Sequence, residues 1–484
     1  MENFSTGYSS TIMGENWDVI VVGSGPGGGR VAADLVDSGA RVLLLEAGRE
    51  FGPPASVGGA AAPFPGNERD YSTQMFWGGG LEMSADARVA MLRARCLGGT
   101  SIVNQALMDR FDDNAWDDWR DRAQLDFLSV AAMQPHYEAV ESGLNIEEIP
   151  TQFHNANTRL FTESFEKLGF GWKVLQRAQG DCALDKGSDC IVCLGGCPRS
   201  SKQSSLVTTI HRARESGLTI QTGVEVDRIE ETAGGVRVAA TSPSGTTTFT
   251  ARAVILAAGS LGSTGILLRS GMQDRLPALG DGFACHPQYM TYAFFDDVID
   301  AHKGAFQAVK SDDPGLRARG LKFENVFAPP IGTTMLLPAR GVELHAMMRR
   351  YRHMASMEVA IRDEASGRIT IDKKGSVVVS KQLTDADRAK SKDGLDTVRE
   401  LFASVGATET VQCPDTFGLH LMGGCSLGSD ARRSVVGEDF RVHGMSRTFV
   451  ADSSLFVAAP GINPSLTVMA LAHRAGQSAK EVLA

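Results

Sequence analysis

A chain of 484 residues exceeds what one hydrophobic core usually covers, so two domains, or one domain with a large insertion, are expected. With 43% hydrophobic and 22% charged residues the composition is that of a soluble globular protein, and a net charge of −9 argues against nucleic acid or an anionic membrane surface as partner. The N-terminal stretch lacks a basic start followed by an apolar run, and no stretch is long and apolar enough to span a bilayer, which makes the cytoplasm the expected location.

The first predicted element is a strand, Asp18–Val22, a β-branched run that breaks into Gly23-Ser24-Gly25-Pro26-Gly27-Gly28. These glycines let the backbone turn tightly and approach a ligand. The helix that follows, Arg30–Ser38, offers unpaired N–H groups and a positive dipole end to a pyrophosphate. Gly39 ends that helix, Arg41–Leu45 forms a second strand, and Glu46 closes it where a carboxylate accepts hydrogen bonds from ribose hydroxyls. Strand, glycines, helix, strand and acid in this order specify a dinucleotide site without separating FAD from NAD.

Phe51–Arg95, rich in Gly, Ala and Pro, reads either as a loop covering a cofactor or substrate or as an extended surface connection. In Arg95–Asn104, Gly98 and Gly99 again permit close backbone approach, and Thr100, Ser101 and Asn104 offer groups that bind a flat polar ring. The glycine fingerprint and the Gly98-Gly99-Thr100-Ser101-x-x-Asn104 stretch together resemble the glucose–methanol–choline (GMC) oxidoreductases, flavoproteins that mostly oxidise alcohols with FAD. The resemblance implies that this second stretch lies against the flavin. It also implies non-covalent FAD, because Val103 stands where some members carry a His that tethers the cofactor.

Asp109–Ile149 predicts amphipathic helices that turn Trp116, Trp119, Met133, Tyr137 and Val140 onto the core. Next come Cys182, Cys190, Cys193 and Cys197, spaced as soft ligands of one metal could be. An iron–sulfur cluster, zinc, and metal-free thiols or a disulfide are all open on this spacing. Within the family, the cysteine run before Lys202-Gln203-Ser204 resembles that of long-chain alcohol oxidases, and some bacterial sugar dehydrogenases hold a three-iron cluster in this region.

Leu218–Val226, Val236–Ala240, Thr246–Ala251 and Ala253–Ala258 read as strands, the last running into Gly259 and Ser260. The resemblance puts Val224 and Val226 near the adenine and identifies Gly259–Gly271 as a second family signature, with Thr264 where Pro or Ser is usual. From Cys285 to Val411, strand-like runs at Gln288–Phe295, Met354–Ile361, Arg368–Ile371 and Ser376–Val379 and a helix at Asp385–Val405 look like the substrate-binding sheet of that family. Met335, Met347, Met348, Met354 and Met357 either pack a core or line a pocket for a greasy or aromatic substrate.

At the C-terminus the block around His420, Asp452 and Gly461-Ile462-Asn463-Pro464-Ser465 again resembles the family, most of all its cholesterol-oxidase-like and bacterial alcohol dehydrogenase branches. Carried over by position, His420 and Asn463 stand at the substrate hydroxyl and Asp452 near the ribityl and phosphate groups. Chemistry agrees with that assignment. A neutral imidazole can act as base at about pH 7, and a carboxamide can donate to a developing alkoxide. Pro464 opens a helix at Ser465 whose positive end faces the flavin's pyrimidine edge. His443 and His473 have no such partner and read as structural.

The expectation is an α/β chain: a discontinuous Rossmann-like FAD-binding domain over 15–110, 185–284 and 412–484, an inserted sheet-plus-helix substrate-binding domain over 285–411, and covering segments at 51–95 and 111–184. The reaction expected is oxidation of a primary or secondary alcohol, apolar or aromatic if the methionines line its pocket. Hydride passes to flavin N5, and oxygen or an electron-carrier protein serves as final acceptor. A GMC-fold lyase or decarboxylase that retains FAD and a non-catalytic flavin-binding protein are the alternatives.

Overall fold

The computed structural model describes residues 16–52, 62–183, 190–414 and 416–483, the side chains of 190–192 excepted. The strands that position the site are β1 (Trp17–Val22), β2 (Val42–Glu46), β3 (Val89–Met91), β4 (Thr219–Thr222), β5 (Glu225–Thr232), β6 (Gly235–Ser242), β7 (Gly245–Leu256), β8 (Asp281–Phe294), β9 (Leu321–Asn325), β10 (Met354–Ile361), β11 (Thr416–Met422) and β12 (Thr448–Val450). The helices are α1 (Pro26–Val36), α2 (Glu68–Met75), α3 (Asp113–Ala123), α4 (Val130–Glu141), α5 (Ala156–Leu168), α6 (Gly259–Arg269), α7 (Asp385–Ser404) and α8 (Ser465–Leu483).

The first sheet runs in the order β4-β2-β1-β7-β6-β5, with β12 also on β7. Its centre is parallel and buried, as strands covered on both faces must be. β7 is one continuous strand where the sequence predicts two: its first half pairs antiparallel with β6 and its second half, Val254–Leu256, lies parallel to β12. α1 and α8 pack on each other beside this sheet, and α4 packs on α8. The five residues singled out on Asp109–Ile149 are all buried, as the helical spacing requires.

Among the described residues the second sheet has eleven strands, with β3-β11-β8-β10-β9 at its centre and α7 against β10. It has its own core, including Phe161, Phe165, Tyr292, Phe294, Phe323, Val398 and Leu401. Both β3 and β11 lie in stretches that the sequence reading gives to the FAD-binding part, yet they pair here. Thr416 lies opposite Val89, and Gln288 opposite Phe417. The methionines form no common lining, since Met354 and Met357 are core residues and Met335 is 64% exposed.

Two further differences have local causes. α1 begins at Pro26, not Arg30, because proline is favoured in a first turn and the glycines behind it are needed for contact: a Cβ on Gly27 would stand 2.0 Å from the Ala451 carbonyl oxygen. Phe51–Arg95 is not irregular throughout, for Asn67 caps α2 by accepting the Asp70 N–H.

Candidate functional site

The turn after β1 is held open by Gly23 at φ +97°, and α1 starts with no side chain capping its free N–H groups. Beside Gly25 there is open space where a side chain would point. Ser24 knits the turn together: its Oγ donates to Glu46 Oε2 at 2.6 Å and accepts the Gly98 N–H at 2.9 Å. Glu46 also accepts the Ser24 and Gly48 N–H groups. Burial raises its pKa, against these three hydrogen bonds. Gly99 rests on Gly25 so closely that a Cβ there would meet the Gly25 Cα at 2.7 Å. The two glycine stretches singled out from the sequence are thus brought together.

Behind the second stretch lies a buried lysine, Lys202, to which the sequence reading gives no role. Lys202 Nζ donates to the carbonyls of Ile102 (2.6 Å), Asn104 (2.7 Å) and Cys193 (2.7 Å), tying Gly98–Asn104 to the cysteine-rich run. Asn104 turns its own Oδ1 to the Ala106 N–H. Cys193 is buried, Cys182 and Cys197 are half-buried, and Cys182 Sγ lies 3.1 Å from Ser201 Oγ. No group of three or more metal-ligating side chains occurs among the described residues, while the Cys190 side chain lies outside them. The iron–sulfur and zinc expectations gain no support. From this run the Cys193 carbonyl anchors Lys202 on its outer side.

Asp452 accepts the Gly259 N–H at 2.8 Å through Oδ2 and the Ser454 N–H at 2.8 Å through Oδ1. It thereby joins the start of α6 to the end of β12. Val226 is buried at the start of β5, beside a bulge in its pairing with β6.

His420 sits on β11 at φ +58°, a conformation a side-chain-bearing residue seldom adopts. The register explains it. Leu419 lies opposite His286 and Met422 opposite Ala284, so His420 and Leu421 together face the single residue Cys285 of β8. Such a bulge re-aims a side chain out of the strand's alternation. Here it turns the His420 ring to His286, with the two Nδ1 atoms 2.9 Å apart and the rings at 81°. His286 Nε2 in turn accepts the Gly461 N–H at 2.9 Å.

That last bond is one of three that pin the segment leading to Asn463. Trp119 Nε1 donates to the Ala458 carbonyl (3.0 Å) and Arg362 Nε to the Ala459 carbonyl (2.7 Å). Trp119 therefore has a positioning role that its helical spacing alone does not reveal. Asn463 and His420 line one cavity, together with His286, Gln288, Lys322, Glu324 and Gly461. Burial, followed by the nearby Lys322 ammonium, pushes the His420 pKa down to about 3. The sequence reading misses His286, Lys322 and Glu324. Their only local signal is polar residues interrupting apolar strands.

Whether this chain fits FAD can be tested on its own atoms. An uncapped helix start among glycines suits a pyrophosphate, and a buried carboxylate with lone pairs to spare suits a ribose. At the other end, Asn463 Oδ1 and Ser465 Oγ are buried without a partner beside the start of α8. Unpaired buried polar atoms are rare in a finished fold, and a flavin edge supplies what they lack. The residues fit the cofactor. His443 and His473, read as structural, bond to Ser434 and to Asp34 and Arg30 respectively.

Comparison with known proteins agrees with this reading of the cofactor. Residues 72–288 and 363–472 match two family models, both described as GMC oxidoreductase. An uncharacterised GMC-type oxidoreductase of Mycobacterium tuberculosis (strain H37Rv) is 28% identical, the alignment spanning 94% of this chain and 74% of the relative. A long-chain-alcohol oxidase of Arabidopsis thaliana is 24% identical over 94% of this chain and 66% of its own length. Among solved structures, pyridoxine 4-oxidase superposes with a TM-score of 0.72 at 17% identity, over 96% of this chain and 99% of that one.

Proposed function

The chain belongs to the GMC oxidoreductase family of FAD-dependent oxidoreductases, and from that premise we propose that it oxidises a primary or secondary alcohol to the carbonyl. Gly23, Gly25, Pro26, Gly27 and Gly28 would receive the pyrophosphate and Glu46 the adenosine ribose, with Val226 toward the adenine. Gly98, Gly99, Thr100 and Asn104 would back the isoalloxazine. Gly259 and Asp452 would hold the ribityl and phosphate end, and Pro464 and Ser465 the pyrimidine edge. Bound there, FAD supplies the acceptor for the hydride leaving the alcohol carbon.

The carrying observation is that His420 and Asn463, from different elements, line one cavity beside the unpartnered start of α8. His420 meets the hydroxyl, and Asn463 donates to the oxygen as negative charge develops on it. Lys322, Glu324 and Gln288 give the cavity a polar wall, which favours an alcohol with further polar groups over a purely apolar or aromatic one. The test is anaerobic bleaching of the flavin by a panel of sugar, sterol, long-chain and benzylic alcohols, repeated with an artificial acceptor and with an oxygen electrode. Bleaching by at least one alcohol, strongest for polyhydroxylated ones, is expected. A flavin that no alcohol reduces would overturn the reading.

A further inference from the structure

We propose that Gln288, Lys322 and Glu324 form a second subsite beside His420 and Asn463, and that it selects alcohols carrying a further, uncharged hydroxyl. This deepens the reading above and rests on it for the reacting group. Register across the second sheet builds the subsite. Gln288 of β8 and Lys322 of β9 both lie opposite Ala360 of β10, which stands between them. Residues directly opposite in antiparallel strands project to the same face, so two long polar side chains flank a single methyl group. With neighbouring strands about 4.8 Å apart, the two outer backbones are about 10 Å from each other, and the short Ala360 leaves a notch between them. His286 lies two residues before Gln288 on the same face of β8, and all of these residues line the cavity shared by His420 and Asn463.

The groups around the notch match a hydroxyl. Gln288 is buried, and its carboxamide makes no hydrogen bond to any described residue, which leaves a donor and an acceptor for a ligand. Lys322 Nζ meets Glu324 Oε1 at 2.6 Å and has N–H groups beyond that contact. Glu324 Oε2 accepts the Gln307 amide at 2.9 Å, which fixes the carboxylate in place. A hydroxyl both donates and accepts, and so satisfies such a set. Charge decides against the alternatives. Lys322 and Glu324 cancel each other, and Glu358, opposite Glu324, is held well above the ordinary carboxylate range by burial and then by Glu324, which favours its uncharged form. Lys310, on the other side of Glu324, is paired with Asp109, while Arg317 and Arg362 are paired with Asp112 and Asp118. A carboxylate or ammonium on the substrate would enter a buried place whose charges are already matched, and would stay uncompensated there.

Binding of a matched series to the holoenzyme tests this by calorimetry, with the flavin reduced beforehand so that no alcohol is consumed. Propane-1,2-diol and propane-1,3-diol stand against propan-1-ol, 3-hydroxypropanoate and 3-aminopropan-1-ol, which carry hydrogen, a carboxylate and an ammonium in place of the second hydroxyl. At least one diol is expected to bind about tenfold tighter than all three. Ala360→Val fills the notch and removes no polar group, and it should bring that diol to within about threefold of propan-1-ol. Gln288→Leu should do the same, with FAD content reporting that each variant is folded. Equal binding of diol and propan-1-ol to the wild type, tightest binding of an ionised analogue, or a preference that survives both variants would overturn the proposal. Turnover separates it from the broader reading. Flavin bleaching without a diol preference sinks the subsite alone, whereas a diol preference without bleaching supports the subsite and sinks the alcohol chemistry.

Discussion

His420 and Asn463 arrive at one cavity by different devices. The histidine is turned out of its strand by a bulge at positive φ, and the carboxamide stands at the end of a segment pinned by Trp119, Arg362 and His286. Because Asn463 is held in advance, removing its amide should act on turnover more than on binding. Asn463→Ala is expected to lower kcat about 10²-fold with KM little changed, measured by steady-state kinetics on a responsive alcohol. Glu46 makes a parallel case for the cofactor. Hydrogen bonds to a charged group contribute about 1.5–3 kcal/mol, so Glu46→Ala should weaken FAD binding by about 10–100-fold in a flavin fluorescence titration.

At the level of elements, the glycine turn, α1 and the strands beside it are legible in the sequence because their contacts are local: Ser24, Glu46 and Gly48 close a loop of two dozen residues. The family's motif blocks carry His420 and Asn463 as well. What no local pattern carries is the pairing of β11 with β8, which makes the bulge under His420 and brings up His286 from 134 residues away. The role of Lys202 is hidden for the same reason, since its partners Ile102 and Asn104 lie about a hundred residues earlier. Its three carbonyls would be left unpaired by Lys202→Met. That variant should unfold with about 3 kcal/mol less stability in chemical denaturation and should release FAD more readily, because the loop at Gly98 loses its brace.

For the molecule as a whole, the packing of α4 on α8 contains a pH-dependent contact. His136, on α4, stacks edge-on to His473 of α8, and burial followed by the charges of His473 and Arg474 lowers its pKa to about 4. Its folded pKa lies below the unfolded value of about 6.5, so the unfolded chain binds the proton first on acidification. The associated stability is complete above about pH 6.5 and is lost as pH falls through 4. Measured by denaturation at a series of pH values, wild type should therefore lose stability relative to His136→Phe between pH 6.5 and 4, with no further divergence below. The wiring of the first sheet has a temporal consequence. β1 takes its neighbour β7 from the middle of the chain, and β12, which completes the edge of β7, comes from near its end. On the ribosome the cradle for the dinucleotide must wait, one side unfinished, until the codons of β12 have been read. Nascent chains arrested before residue 440 should accordingly fail to retain FAD, whereas released chains that include β12 should capture it.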